Sequence, residues 1–152
     1  MKTLVLGIGN EILGDDGVGV YIAREVARRV STTDVTVEET ATAGLALLER
    51  IKGFQRLIIA DAILTVKAET GKIQRLALKD TAKTNKSFTA HEAALATAIE
   101  LGNGLFPGEM PSEIIVYAVQ VQDVEHVTGK MTKAVKAAVP EVVRRILAEI
   151  NG

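Results

Sequence analysis

The sequence predicts an α/β protein with three layers, in which a doubly wound, mostly parallel twisted sheet of about five strands lies between helices on both faces. Short, almost wholly apolar runs recur along the chain, as expected of strands that are covered on both sides. Longer segments with apolar residues at helical spacing separate these runs. Strands that alternate with helices in this way favour a parallel sheet with crossover helices.

Composition supports one globular domain over residues 1–152, since the length suits a single core and no linker or repeat divides the chain. Hydrophobic residues make up 47% and aromatic residues only 3%, so Val, Ile, Leu and Ala must build the core. The net charge of −1 and the scarcity of aromatic rings give no support to a nucleic-acid partner. The absence of cysteine excludes disulfides, thiolate metal ligands and a cysteine nucleophile.

The opening apolar run is too short to span a membrane and lacks the form of a secretory signal. We therefore expect a cytoplasmic protein without membrane association. No sequence feature requires a dimer, and we expect a monomer.

The first strand is predicted over Thr3–Ile8, and four residues in and after its last part permit a tight, irregular turn (Gly7, Gly9, Asn10 and Gly14). Asp15 and Asp16 follow this turn where a helix begins. That helix is indicated by apolar residues at helical spacing and ends near Ser31 (Val18, Ile22, Val26 and Val30).

The next elements are a strand, a small-residue loop and a short helix. Val35–Glu39 alternates apolar and polar residues, as a strand does. The loop Thr40–Gly44 leads to a helix that begins at Leu45 and that Gly53 stops.

Arg56–Ala62 predicts a buried strand, with four apolar residues followed by Asp61 at its carboxyl end, and Ile63 and Leu64 continue the apolar run briefly. Gly71–Leu78 alternates and predicts an edge strand, and Lys79–Lys86 is polar and predicts an exposed loop.

The third helix is predicted to begin at Ala90, because Thr89 and Glu92 form a capping box before an apolar periodic run, and Gly102 is predicted to end it. Glu113–Val121 predicts another buried strand. Apolar residues at helical spacing between Val135 and Ile150 predict a last helix, which Pro140 either kinks or divides.

Three residues are candidates for a shared functional site: Asp16, Asp61 and His91. Asp16 follows the first strand, Asp61 ends the central one, and His91 lies in the first turn of a helix. Since the carboxyl ends of parallel strands meet at one end of a sheet, the side chains are expected to converge there. Two carboxylates and an imidazole form a plausible ligand set for a borderline divalent metal, with positions left for water or substrate.

Each candidate also has a structural interpretation. An isolated Asp-Asp pair more often caps a helix, at odds of roughly two to one. Asp61 alone could be a loop acid, and His91 alone is more often a helix-end residue than a ligand. His126 has no identifiable partner in the sequence and is predicted to lie on the surface.

Common catalytic and cofactor motifs are absent from the sequence. The pair Gly7 and Gly9 begins a dinucleotide fingerprint, but the third glycine is replaced by Ile12. There is no phosphate-binding loop, no His-Glu-x-x-His metal motif and no Gly-x-Ser-x-Gly nucleophile elbow.

The sequence resembles the hydrogenase maturation endopeptidases over nearly its whole length. The resemblance rests on four short motifs that occur in the order and spacing of that family (Gly7–Asn10, Asp15–Gly19, Ile58–Ala62 and Ala90–Glu92). One departure is the loop Thr40–Gly44, where many relatives carry a Gly-rich or Gly-Thr pair.

The resemblance implies an aspartic-type, metal-dependent endopeptidase in the cytoplasm. Such proteins remove a C-terminal extension from the large-subunit precursor of a nickel-iron hydrogenase after nickel insertion. The family's metal ligands fall on Asp16, Asp61 and His91. The nickel is expected to come with the substrate, other divalent metals are expected to substitute in vitro, and the ion either assists cleavage or only identifies a loaded precursor.

Two other classes of protein remain as alternatives. A phosphoacceptor receiver domain would use Asp61 as acceptor and the Asp pair for magnesium, but no lysine follows the last strand. A nucleotide-binding α/β enzyme would use the glycine-rich turn.

Overall fold

The computed structural model describes residues 1–42, 44–64, 69–78, 90–122 and 127–152, and it describes the backbone but not the side chains of 90–93. The five strands are β1 (Thr3–Ile8), β2 (Val35–Thr40), β3 (Arg56–Ile63), β4 (Ile73–Ala77) and β5 (Glu113–Gln120). The α-helices described are α1 (Val18–Arg29), α2 (Leu48–Ile51), α3 (Ala90–Leu105) and α4 (Lys133–Asn151). Single 3₁₀ turns, Gly14–Gly17 and Leu45–Leu47, precede α1 and α2.

The strands form one sheet in the order β2-β1-β3-β5-β4. All neighbouring pairs are parallel except β4 with β5, which is antiparallel and places β4 at an edge. The prediction of a doubly wound, mostly parallel sheet is therefore confirmed. The chain leaves β1 toward β2 and returns on the other side as β3, so the switch point of the topology lies between β1 and β3, where open α/β sheets bind their ligands.

The sheet separates two apolar cores. On one face, Val5, Ile58 and Ala60 pack with α1 and α4, as part of a cluster that includes Ile22 and Ile146. On the other face, the alternate residues of the same strands pack with α2 and α3 (Leu4, Leu6, Leu57 and Ile59). Because successive strand side chains point to opposite faces, Asp61 continues the series of Leu57 and Ile59 toward the α3 face.

Two element ends differ from the sequence prediction. β3 ends at Ile63, one residue beyond the predicted Ala62, so Asp61 is the third residue from its end. α3 passes through Gly102 and ends at Leu105. Gly102 serves close packing, since a Cβ there would lie 2.6 Å from the Met110 Cε and 2.9 Å from a Leu48 methyl group.

The last helix is continuous through Pro140, so the alternative that this proline divides it is wrong. Proline has no amide hydrogen to donate to the carbonyl one turn earlier in the helix. Because Pro140 is exposed, that carbonyl can bind water instead. Thr89, the Lys79–Lys86 segment and His126 lie outside the described residues. No helix in the described part of the chain combines the length and the apolar character needed to cross a bilayer.

Candidate functional site at the carboxyl end of the sheet

The turn after β1 is closed by direct backbone contacts that only glycine allows. A Cβ on Gly9 would lie 2.1 Å from the carbonyl oxygen of Asp16, and a Cβ on Gly17 would lie 2.6 Å from the Cα of Glu11. The amide of Gly9 donates to the carbonyl of Thr40 at the end of β2 (3.0 Å). The glycine-rich sequence therefore folds the Asp-bearing segment back against the end of its own strand.

The two neighbouring acids of this turn have different surroundings. Asp15 is buried, with 3% of its surface exposed, and accepts hydrogen bonds from the amide (2.7 Å) and the hydroxyl (3.0 Å) of Thr132. It thus binds the residue that precedes α4, a helix far along the chain. Asp16 is half-buried, and its Oδ2 accepts a hydrogen bond from the amide of Asn10 (2.9 Å). Among the described residues, no lysine or arginine forms an ion pair with Asp16.

The start of α1 lies across the ends of two strands. A Cβ on Gly19 would lie 2.4 Å from the carbonyl oxygen of Ile8 in β1 and 2.3 Å from that of Ala60 in β3. The 3₁₀ turn that carries Asp16 also contacts β3. This close approach brings the segment with Asp16 to the part of β3 that carries Asp61.

Asp61 lies at the level where β1 ends, since Gly7 of β1 pairs with the preceding Ala60. Its carboxylate is buried, with 6% of its surface exposed, and its Oδ1 accepts a hydrogen bond from the amide of Ala62 (2.8 Å). The structure therefore brings Asp16 and Asp61 to the same end of the sheet, beside the switch point.

His91 is the second residue of α3, the helix that packs on the sheet face toward which Asp61 points. Its side chain lies outside the described part of the structure. Among the side chains that are described, which do not include His91, no three His, Asp or Glu residues are grouped as metal ligands are. The convergence of Asp16, Asp61 and His91 on one ion stays a prediction.

Sequence reasoning missed the arginine that joins the segments around this turn. Arg24 of α1 binds Glu11, which follows Asn10, and Glu39, near the end of β2. The signal available in the sequence was a glutamate after β1 (Glu11), a glutamate near the end of β2 (Glu39) and an arginine on α1, the helix between these two strands. A cavity of about 230 Å³ adjoins this cluster, lined by the turn after β1 and the end of β2.

Comparison with known proteins identifies the family. A family model described as hydrogenase maturation protease matches residues 20–149. The chain belongs to the hydrogenase maturation protease family. It is 31% identical to the hydrogenase 2 maturation protease of Escherichia coli K12, over 99% of this chain and 92% of that protein. It is 30% identical to the hydrogenase expression/formation protein HupD of Bradyrhizobium diazoefficiens, over 89% and 70% of the two chains.

Solved structures of hydrogenase maturation proteases have the same fold. The maturating endopeptidase HybD of E. coli superposes with a TM-score of 0.83 and 29% identity, over 99% of this chain and 93% of the other. A [NiFe] hydrogenase maturation protease from Thermococcus kodakarensis, at 23% identity, shares the fold with a TM-score of 0.75 over 99% of each chain. Family membership makes the protein an endopeptidase of hydrogenase maturation.

The two alternative classes are not favoured. Receiver domains share the flavodoxin-like strand order 2-1-3-4-5, whereas here the antiparallel β4 occupies the edge beyond β5. The dinucleotide-binding fold has a different order again and needs the third glycine that Ile12 replaces.

Proposed function

We propose that this protease removes the C-terminal extension from the large-subunit precursor of one nickel-iron hydrogenase, after nickel has been inserted. The observation that carries the proposal is similarity over 99% of the chain to a hydrogenase 2 maturation protease. Asp16 and Asp61 at the switch point of the sheet support it, because that is where an α/β fold positions reacting groups.

The metal in this proposal belongs to the substrate. Asp16, Asp61 and His91 complete the coordination of the precursor's nickel, and their two carboxylates and one imidazole suit a borderline divalent ion. Asp16 favours such a role because a backbone amide orients one carboxylate oxygen while no described cation neutralises the group. Other divalent metals should substitute in vitro.

The ion could polarise the scissile carbonyl or activate a water, and it could also serve only to identify a loaded precursor. If the ion takes part in cleavage, a carboxylate of the site can also take a proton from the attacking water, as in an aspartic-type mechanism.

The surroundings of the site suit a protein substrate. Four large apolar side chains are exposed on the segments that follow four of the strands, at the same end of the sheet (Ile12, Leu45, Leu64 and Val127). Exposed apolar residues at the end of the sheet that carries Asp16 and Asp61 favour contact with a peptide segment. We also propose that the enzyme is a monomer and that it acts in the cytoplasm.

The test uses purified protease with nickel-loaded and nickel-free precursor of its own hydrogenase, and mass spectrometry of the large subunit as the measurement. We expect loss of the C-terminal extension from the loaded precursor alone. Equal cleavage of both forms would contradict nickel-dependent recognition, and cleavage of neither would contradict the proposed substrate. Asp34→Asn, a change in an exposed turn between α1 and β2, serves as the matched control and should leave cleavage unchanged.

A further inference from the structure

Arg24 lies between two glutamates that belong to different segments of the chain. Its Nη1 and Nη2 donate to the two carboxylate oxygens of Glu11 (2.9 and 3.2 Å). Its Nε and Nη2 donate to the two oxygens of Glu39 (3.0 and 2.9 Å). One planar guanidinium thus binds both carboxylates in a bidentate manner, a geometry that lysine does not offer. We call these three residues the Arg24 cluster.

The Arg24 cluster connects the turn after β1 with β2 and α1. Glu11 directly follows Asn10, whose amide donates to the carboxylate of Asp16. Glu39 belongs to the end of β2, where Thr40 accepts the amide of Gly9. Asn10 therefore lies between two residues that are held in place. The amide of Gly9 donates to Thr40, and the carboxylate of Glu11 binds Arg24.

Global stability does not explain the cluster. Arg24, Glu11 and Glu39 have side-chain exposures of 39%, 45% and 44%, and ion pairs as exposed as these add little to folding because solvent screens them. Their effect should be local, on a turn whose glycines give it little intrinsic rigidity.

We propose that Arg24 is a positioning residue for Asp16, acting through Glu11 and the Asn10 amide. The inference rests on the proposed function, in which Asp16 meets the substrate's nickel. Arg24 fixes the turn so that the hydrogen bond from Asn10 holds the Asp16 carboxylate in one orientation. Misplacement of a reacting group by about 1 Å can cost about 100-fold in rate, so a modest loosening of this turn should be measurable.

The first measurement does not need the substrate. Amide hydrogen exchange of Asn10, followed by NMR, should be at least about tenfold faster in Arg24→Gln than in the wild type, because the hydrogen bond opens more often. Arg28→Gln is the matched control, since Arg28 lies one turn later on α1 and its ion pair within the described part of the chain is with Glu25 of its own helix. Its exchange at Asn10 should equal that of the wild type.

The second measurement is cleavage of nickel-loaded precursor. We expect kcat to fall about tenfold in Arg24→Gln with KM within about twofold of the wild type, because orientation rather than binding is lost. Arg24→Lys should recover only part of kcat, since one ammonium cannot bind both carboxylates in a bidentate manner. Glu11→Gln should lower kcat in the same direction, and it provides a second variant if Arg24→Gln folds poorly.

The inference is overturned if Asn10 exchange and kcat in Arg24→Gln and Glu11→Gln match those of Arg28→Gln. A precursor that the wild-type protein does not cleave would contradict the proposed function instead. The exchange measurement would then still decide whether Arg24 orders the Asn10–Asp16 contact.

Discussion

Charged side chains at the amino end of the sheet bind one another, whereas the candidate catalytic acid Asp16 at the carboxyl end is bound by a backbone amide. At the amino end, Glu149 of α4 accepts hydrogen bonds from Arg75 and from the buried Tyr117 (2.8 Å for Tyr117). Arg56 donates to the carbonyl of Glu149 (2.9 Å) and to Thr3. This network fastens the last helix to the strands.

Of the cavities at these two ends of the sheet, the larger is not the one beside the candidate site. The amino-end network lines a depression of about 630 Å³, while the cavity beside the turn after β1 measures about 230 Å³. In the larger depression, Glu149 and Arg75 form an ion pair with each other. At the carboxyl end, no described lysine or arginine pairs with Asp16, so its carboxylate can accept an incoming cation, as the proposed recognition of the substrate's metal requires.

The largest expected effect tests the carboxyl end directly. Asp16→Asn and Asp61→Asn should each lower cleavage of nickel-loaded precursor by at least about 100-fold, because an amide neither ligates a divalent ion well nor accepts a proton. Cleavage assays, with circular dichroism to check the fold, provide the measurement. Retention of wild-type rates by both variants would remove these carboxylates from the mechanism.

A second prediction concerns the contact that brings the two acids together. Gly19→Ala should destabilise the protein by about 3 kcal/mol, because the added methyl group meets carbonyl oxygens of both β1 and β3. Urea unfolding measures the change. Gly104→Ala is the control in α3, where no described atom beyond the backbone of the helix itself lies within 4 Å of an added Cβ, and it should stabilise by about 0.5–1 kcal/mol.

The paired acids of the turn should separate stability from activity. Asp15→Ala should cost about 2 kcal/mol of unfolding free energy, since a buried carboxylate that accepts two hydrogen bonds from Thr132 is lost. Asp16→Ala should cost about 1 kcal/mol or less while it removes cleavage. Urea unfolding of both variants tests this, and equal stability losses would contradict the division of roles.

The smallest expected effect lies at the amino end and depends on pH. Partial burial raises the pKa of Glu149, but hydrogen bonds from Arg75 and Tyr117 outweigh it and leave this pKa below its ordinary value of 4.5. A carboxyl group with a lowered folded-state pKa stabilises the protein above its unfolded pKa and loses that contribution as the pH falls through the folded value.

Glu149→Gln should therefore be less stable than the wild type at about pH 7, by about 1 kcal/mol, with unchanged cleavage. The difference in urea midpoint should shrink as the pH is lowered through the folded-state pKa of Glu149, which lies below 4.5. A difference that stays constant over this range would show that Glu149 acts through packing rather than through its charge.

The sequence predicted the central strands well, because strands covered on both faces appear as apolar runs. Thr3–Ile8 is confirmed at both ends, and Gly71–Leu78 contains the edge strand β4. Arg56–Ala62 is confirmed to within one residue, since β3 ends at Ile63. The predicted helix end at Gly102 was wrong, because a glycine required for contact with Met110 has the same appearance in a sequence as one that ends a helix.

The site was only partly accessible to sequence reasoning. The strand-to-helix turn and the central strand located Asp16 and Asp61 at one end of the sheet, because topology alone decides that placement. The different roles of Asp15 and Asp16 could not be predicted, since the partner of Asp15 is Thr132, 117 residues away. The Arg24 cluster depends on the register of β2 beside β1, which local patterns do not give.

The bond between Asp15 and Thr132 also bears on when the enzyme becomes competent during synthesis. While a ribosome still holds residue 132 inside its exit tunnel, the turn that presents Asp16 lacks the anchor that α4 supplies. Translation proceeds at about 5–20 residues per second, so a nascent chain spends several seconds with β1 and α1 already emerged and this anchor missing. Proteolytic competence should therefore appear only after Thr132 and α4 have left the exit tunnel.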